Sequence, residues 1–332
     1  MYQSFYSLKE APFELTANPK YLFFTGQHRE ALSNLEYGLS SAKPITLLVG
    51  EAGTGKSTLL RAALDSERCR NVSAVYLNNP TLKRDEFVET LAARFDLGAG
   101  AEHSKATLLG GLESVLLERQ ARGEITALVV DEAQALSDEL LEEIRLLANM
   151  ETVVGKLLPL VLAGQPELGE RLNEPGLRQL KQRIALRCEL KPLDLAETAS
   201  YIASRIRTAG GDPGMMFTRE AVTLIHEYSH GVPRTISVMC DNALMSGFAL
   251  DQHRIDGHIV REVCKDFDLR PMTGRPHPAP PPLALVEPVA PAAGREVSTP
   301  APAGSPAAET PDTQEKPKHG MSPRRFSLLG LR

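Results

Sequence analysis

Ile45-Thr-Leu-Leu-Val-Gly-Glu-Ala-Gly-Thr-Gly-Lys-Ser-Thr-Leu-Leu-Arg-Ala-Ala63 passes from a short apolar run, through three closely spaced glycines, into a segment with helical spacing. The run Ile45 to Val49 reads as a buried strand, and Gly50 to Ser57 fits the pattern G-x-x-x-x-G-K-[ST]. Glycines let the backbone curl so that successive N–H groups face an anion, and the following helix N-terminus adds partial positive charge. Lys56 is placed to reach the outer phosphates of a nucleoside triphosphate, and the Ser57 hydroxyl to complete the shell of a Mg²⁺ ion. Gly50, Glu51, Ala52, Gly53, Thr54, Gly55, Lys56, Ser57 and Thr58 are therefore the expected cofactor-binding residues. Four fixed positions in a strand–loop–helix context leave a glycine-rich turn carrying a surface lysine as a poor rival.

Further along, Ala127-Leu-Val-Val-Asp-Glu132 is an apolar strand ending in two acids. Such a strand delivers Asp131 to the same sheet edge as the phosphate loop, where it could hold the metal, and sets Glu132 where it could orient or deprotonate a water. Gln165 follows the apolar run Leu157 to Leu162 and is either a sensor of the outer phosphate or a turn residue in Gly164-Gln-Pro166. Arg178 to Arg183 ends a helix before the short strand Leu186 to Leu190. An arginine there either serves a phosphoryl group at a subunit boundary or sits on a solvated face. Gly231-Val-Pro-Arg234 opens a helix whose arginine could reach back to the nucleotide. His226 and His230 lack a third ligand and read as helix-surface residues, and the acids from Asp138 to Glu143 read as a solvated face. No N-K-x-D follows the loop, so nothing selects guanine.

Strand-like Val72 to Leu77, ending at Asn78-Asn79, and helical spacing in Phe87 to Phe95, Leu108 to Leu117 and Leu136 to Leu147 complete an alternating pattern. Strands apolar on both faces, alternating with helices, specify an α/β fold with a parallel sheet covered on both sides. From Leu195 the strand signals stop, and Glu197 to Thr208, Arg219 to Tyr228, Arg234 to Gly247 and Ile255 to Phe267 read as the helices of a small all-helical domain. Seven of the 17 Phe and Tyr fall in the first 24 residues, a density that implies packing, either as ordinary core or with part of it walling a nucleotide base. Fourteen of the 24 prolines lie from Pro271 onward, and that composition reads as a disordered tail. Its end, Ser322 to Arg332, is basic and apolar and reads as a docking peptide or a frayed terminus. The expected division is 1–40, an aromatic-rich segment packing on the ATPase core; 41–192, the core; 193–268, the helical lid; and 269–332, the tail.

The chain of 332 residues has a net charge of −5, and without the tail's +2 residues 1–270 carry −7, which disfavours a protein that coats nucleic acid by charge. No apolar stretch is long enough to span a bilayer and no secretory signal opens the chain. Four scattered cysteines give neither a zinc pattern nor a disulfide framework and fit a reducing cytoplasm.

Together these residues resemble the AAA+ ATPases of the general secretion pathway protein A (ExeA-like) family. The resemblance covers about residues 1–268. It rests on Met1-Tyr…Phe5-Tyr6…Pro12-Phe13…Asn18-Pro19, His28-Arg-Glu-Ala-Leu32, Tyr37-Gly-Leu39, Gly50 to Ser57 and Asp131-Glu-Ala-Gln134. Leu146-Leu-Ala-Asn149 with Glu151-Thr152, Ala163-Gly-Gln-Pro-Glu-Leu168, Gln182-Arg-Ile184 and Gly231-Val-Pro-Arg234 complete it. The resemblance implies a P-loop αβα core with a helical lid and ATP hydrolysis with Mg²⁺. It makes Gln165 the first sensor, Arg234 the second and Arg183 the leading arginine finger, with adenine near Phe24 to Leu32. It also implies a nucleotide-dependent homo-oligomer and a protein partner in an envelope secretion, pilus or exopolysaccharide assembly, with peripheral attachment to the inner membrane through partners. Longer members continue into a membrane helix and a peptidoglycan-binding domain, and this sequence has the proline-rich tail in their place. The rival readings are a DNA-associated AAA+ regulator of transposition or replication type, and an ATP-binding switch with little turnover.

Overall fold

The molecule is described here from a computed structural model, which covers residues 1–15, 19–77, 82–98, 100–101, 104–153 and 155–272. The turn at Asn78-Asn79, the proline-rich tail from residue 273 and the terminal Ser322 to Arg332 lie outside the described residues. Five strands form one parallel sheet: β1 (Ile45–Gly50), β2 (Val72–Leu77), β3 (Ile125–Val130), β4 (Leu160–Gly164) and β5 (Ile184–Leu190), in the order β2-β3-β4-β1-β5. Every pairing is parallel, with Ile45 opposite Leu160 and Leu128 opposite Leu160, so β1 and β3 flank β4 in register.

Burial follows from this order. β1 and β4 are buried at every residue and β3 at every residue after Ile125, which is why their sequences are almost purely apolar. β5 is an edge strand, and its exposed residues alternate with covered ones. Successive side chains of the inner strands leave on opposite faces. Leu47, Val49, Leu128, Val130 and Leu162 meet the helices Arg84–Arg94, Lys105–Ala121 and Asp138–Leu147 through Phe87, Leu91, Leu112 and Ile144. Leu48, Ala127, Val129, Val161 and Ala163 meet Gly26–Ser40 and Lys56–Leu64 through Leu35, Leu39, Leu59 and Leu60. The expected strand at Leu157 to Leu162 begins three residues later, at Leu160, directly after Pro159.

Beyond β5 the chain is helical: Leu195–Thr208, a short turn at Pro213–Met216, Arg219–Ser229, Pro233–Ala249 and Gly257–Asp266. Asp194, Thr218 and Asp256 cap three of these by accepting backbone N–H bonds. Ile202, Ile206, Ile225, Ile236, Leu244, Ile259 and Val263 form their shared core. His226, expected on a helix surface, is buried in this bundle with Nδ1 3.0 Å from the Thr198 hydroxyl, because its face of Arg219–Ser229 is the packed one. Of the acids from Asp138 to Glu143, Asp138, Glu139 and Glu142 are exposed as expected, and only Glu143 is drawn in, by Arg84 and Lys105.

The first residues depart from their expected placement on the sheet domain. Tyr2, Tyr6, Leu8 and Phe13 belong to the core of the helical bundle, and only from Phe24 does the segment lie on the sheet. Large aromatics fill the bundle's open side: Tyr2 hydrogen-bonds Asp241, and the Tyr6 hydroxyl donates to the Gln252 carbonyl at 2.9 Å. Arg205 fixes the strap by donating from Nε to Pro12 O and from Nη2 to Glu14 O, with its guanidinium over the rings of Phe13, Tyr21 and Tyr201. All described residues fall in one compact unit. Phe13 is 1% exposed, so Phe13→Ala is expected to lower unfolding stability by about 3 kcal/mol in urea titration, although it lies nearly 200 positions from its helical neighbours.

Candidate nucleotide-binding site

In a sheet of this order the strand C-termini open a crevice, and the loops after β1, β3 and β4 converge there. The loop after β1 turns through Gly53 and Gly55 at φ +85° and +100°, values that let its amides curl before the helix Lys56–Leu64 begins. Thr54 closes the turn internally, its N–H and hydroxyl both donating to Glu51 O at 3.2 and 2.8 Å. Lys56 is buried along its stem, and its ammonium donates to Gly50 O at 2.8 Å and Glu51 O at 3.1 Å. Burial pulls its pKa below the usual lysine value, while the charges of Glu132, Asp131, Glu51 and Glu167 act in the opposite direction.

Ser57 donates its hydroxyl to Asp131 Oδ2 at 2.7 Å across 74 positions of sequence. Asp131 also accepts the Glu132 N–H at 3.0 Å through Oδ1. Glu132 adopts φ +54°, a left-handed conformation that costs a non-glycine residue about 1 kcal/mol or more and is held by its surroundings. Its Oε2 accepts from Gln134 Nε2 at 2.7 Å and from Gln165 Nε2 at 3.4 Å. Gln134 in turn accepts the Gln165 N–H, and Arg171 binds the Gln134 and Leu136 carbonyls. Gln165 is the N-cap position of the helix Pro166–Arg171, so the turn residue and the residue facing Glu132 are the same side chain.

Above the loop a cleft of about 420 Å³ is lined by Ala52 to Leu59, Glu132, His28, the wall Tyr21 to Phe24, and Tyr201, Arg205 and Arg234 from the helical bundle. The aromatic density of the N-terminus thus divides. Tyr2, Tyr6 and Phe13 are core, whereas Tyr21, Phe23 and Phe24 border the cleft. Gly50 and Glu51 do not line it; they border a separate cleft of about 280 Å³ with Pro166, Arg187 and Lys191. Arg234 touches the loop directly, donating its N–H to Gly53 O at 3.2 Å. Arg183 is not brought to this site. It is exposed ahead of the first residue of β5, and Ile184 lies beside Ile45, so it stands about 20 Å from the phosphate loop at the other end of the sheet.

Four residues beside the cleft had no role in the sequence reading. His28 and Gln134 stand inside the motifs His28-Arg-Glu-Ala-Leu32 and Asp131-Glu-Ala-Gln134, but only the fold shows what they touch. Tyr201 and Arg205 occupy one face of an amphipathic helix and carry no local signal.

The donor set suits the groups expected here. A hydroxyl and a carboxylate in contact, beside a curled glycine loop and a lysine, form a hard oxygen site of the kind Mg²⁺ shares with phosphates. No cluster of three or more acidic, His or Cys side chains able to hold a metal alone exists among the described residues. The fold and this loop define the class, P-loop nucleotide-binding proteins of AAA type: residues 39–172 match the AAA domain and belong to that family. The particular relative is general secretion pathway protein A of Aeromonas hydrophila, with which the chain is homologous at 39% identity over 255 residues. The match takes in 77% of this chain and 46% of that protein, so the chain spans about half the length of the curated relative. The fold is also that of the Aeropyrum pernix ORC2 protein in its ADPNP-ADP complexes, at 16% identity and TM-score 0.57, covering 78% of this chain and 71% of that one. Cdc6p from Pyrobaculum aerophilum is similar at 16% identity and TM-score 0.58, covering 75% and 70%.

A Cβ on Gly53 would stand 2.6 Å from that of Arg234, in a backbone conformation that already disfavours a side chain. Gly53→Ala is therefore expected to part the loop from the helix Pro233–Ala249, lowering the thermal midpoint by a few degrees and speeding proteolysis at residues 229–234.

Proposed function

We propose that the chain is a Mg²⁺-dependent ATP hydrolase whose output is movement of the helical lid and of neighbouring subunits, serving assembly or operation of a secretion, pilus or exopolysaccharide system in the cell envelope. What supports the hydrolytic reading is the contact of Ser57 with Asp131 at 2.7 Å, directly beside Lys56 and the glycine loop. In it, the amides of residues 52–58 and the Lys56 ammonium hold the phosphates and offset their charge. Ser57 and Asp131 would hold Mg²⁺, which supplies charge neutralisation at the outer phosphates when bound. Glu132 lines the cleft and orients the attacking water or takes its proton. Gln134 and Gln165 both donate to Oε2, which leaves Oε1 without a protein donor among the described residues and available to that water. Gln165 adjoins the carboxylate and so is placed to report the state of the outer phosphate.

Arg234 lines the cleft and touches Gly53, so it couples the bundle to the phosphates from within the chain. Arg183 lies at the far end of the sheet from its own cleft and serves only as a finger supplied to a neighbouring subunit, which requires head-to-tail oligomers. The envelope role is supported by the homology with general secretion pathway protein A and extends to this chain on that ground. No helix among the described residues is long and apolar enough to cross a membrane. In this reading, contact with a membrane system runs through protein partners.

The site is tested with two variants. Lys56→Ala is expected to abolish binding of a fluorescent ATP analogue. Glu132→Gln is expected to bind it while turnover falls by about 100-fold or more. Wild-type turnover in both would remove the assignment. Chelation of Mg²⁺ with EDTA is expected to stop phosphate release and restoration of Mg²⁺ to recover it, checked by a continuous phosphate assay.

A further inference from the structure

We propose that His28 is a positioning residue for the phosphate loop: its Nε2 holds the Thr54 carbonyl turned away from the phosphates and ties that peptide to the aromatic wall of the cleft. The inference rests on the nucleotide reading of the loop. His28 is 7% exposed, with Nε2 3.3 Å from Thr54 O and Nδ1 2.8 Å from the Thr25 hydroxyl. A carbonyl only accepts, so Nε2 carries the proton, and Nδ1 of the neutral ring must accept from Thr25. The Thr25 oxygen also accepts the His28 N–H as N-cap of Gly26–Ser40, which sets the direction of the whole relay. Burial lowers the pKa of His28, opposed by the Thr54 contact and the charge of Glu197, so the neutral ring is the resident form.

The geometry gives the bond its purpose. In a trans peptide the carbonyl and the following N–H point in opposite directions. Fixing Thr54 O on His28 therefore directs the Gly55 N–H away from His28, and an amide so directed is what a curled loop presents to an anion. Gly55, at φ +100° and without a side chain, offers little resistance to rotation of that peptide. The reverse orientation would aim a carbonyl dipole at phosphate oxygens. A restraint from outside the loop is thus useful, and His28 is a rigid one. Gln27 beside it exchanges two hydrogen bonds with the Lys191 backbone, and Arg29 Nη1 donates to Phe24 O at 2.9 Å. The same short segment therefore carries the wall residues Phe23 and Phe24, the cap Thr25 and the histidine that touches the loop. Contact of a base with the wall and orientation of the phosphate-binding peptide become parts of one rigid element.

A buried histidine with a purely packing role would be replaceable by any side chain that fits, whereas this role needs a donor at the position of Nε2. In glutamine the amide nitrogen reaches about as far as Nε2, and in asparagine only about as far as Nδ1. The test compares wild type, His28→Ala, His28→Gln and His28→Asn in the full chain. MgATP affinity is measured by displacement of a fluorescent ATP analogue and the thermal midpoint in parallel, with Lys56→Ala as the non-binding control. His28→Ala and His28→Asn are expected to weaken affinity by about tenfold, the size of one lost hydrogen bond, and His28→Gln to recover it to within about threefold. Nitrogen NMR of the wild type is expected to show the Nε2–H tautomer. With the wild type binding, unchanged affinity in His28→Ala, or His28→Gln as weak as His28→Asn at equal midpoints, would overturn the proposal. If His28→Ala does not fold, the Gln and Asn pair carries the test alone, equal affinities being the adverse result. No binding by the wild type would instead bring down the nucleotide reading itself.

Discussion

The hydrogen bond from Ser57 to Asp131 joins the first turn of the helix after β1 to the residue directly after β3, and the rest of the site is arranged around it. The two residues are 74 positions apart in sequence, and between their strands lies β4. Only an all-parallel sheet in this register brings their C-termini to one edge. Register is strict here, because a slip of one residue would turn the apolar faces of β1, β3 and β4 out of their two cores. The chemistry at the edge is therefore held in place by burial along the strands. Leu47 and Val49 packing on one side, with Leu48 on the other, fixes where Gly50 begins the loop.

A second constraint acts on Glu132. Its left-handed backbone is unfavourable for a side-chain-bearing residue, and three groups sustain it: the Asp131 carboxylate on its N–H, and the amides of Gln134 and Gln165 on its own carboxylate. Two of these come from the loop itself and one from the end of β4. Strain of this kind persists where the surroundings over-determine it, and it aims the Glu132 carboxylate into the cleft rather than along the following turn.

Most of the sheet and all four long helices of the bundle were legible in the sequence, since central strands of a parallel sheet are continuously apolar and bundle helices are amphipathic with polar caps. That the loop at 50–57 and the acids at 131 and 132 meet at one sheet edge was legible, because each follows an apolar strand of the same parallel sheet. What was not legible depended on partners distant in sequence. The strap at 1–14 showed its need to pack through its aromatics but not its destination, since nothing local says that Phe13 will sit beside Phe217 or that Arg205 will grip Pro12 O. His226 illustrates the same limit in reverse: lacking a third ligand, it read as a helix-surface residue, and tertiary packing buried it. Gln134 and His28 lie within recognisable motifs, yet motif membership says nothing about which atom each one meets.

The strap has a further consequence for how the two parts of the molecule communicate. Residues 2–13 travel with the bundle, through Tyr2 to Asp241, Tyr6 to Gln252 and Arg205 to Pro12, whereas Gly26–Ser40 is packed on the sheet. The wall at Tyr21 to Phe24 is held from both directions. Tyr21 lies under Arg205 and Phe23 against Tyr201 of the bundle, while Phe24 packs on the sheet-side core beside Thr25. A second link runs between the same two bodies at the glycine loop, where the Arg234 N–H meets Gly53 O. Displacing the bundle relative to the sheet must therefore disturb the cleft at its aromatic wall and at its glycine loop together. Conversely, a ligand long enough to engage both ends acts on two attachment points about its own length apart. It resists rotation as well as separation, and that lever arm is what would let nucleotide state set the position of a helical lid.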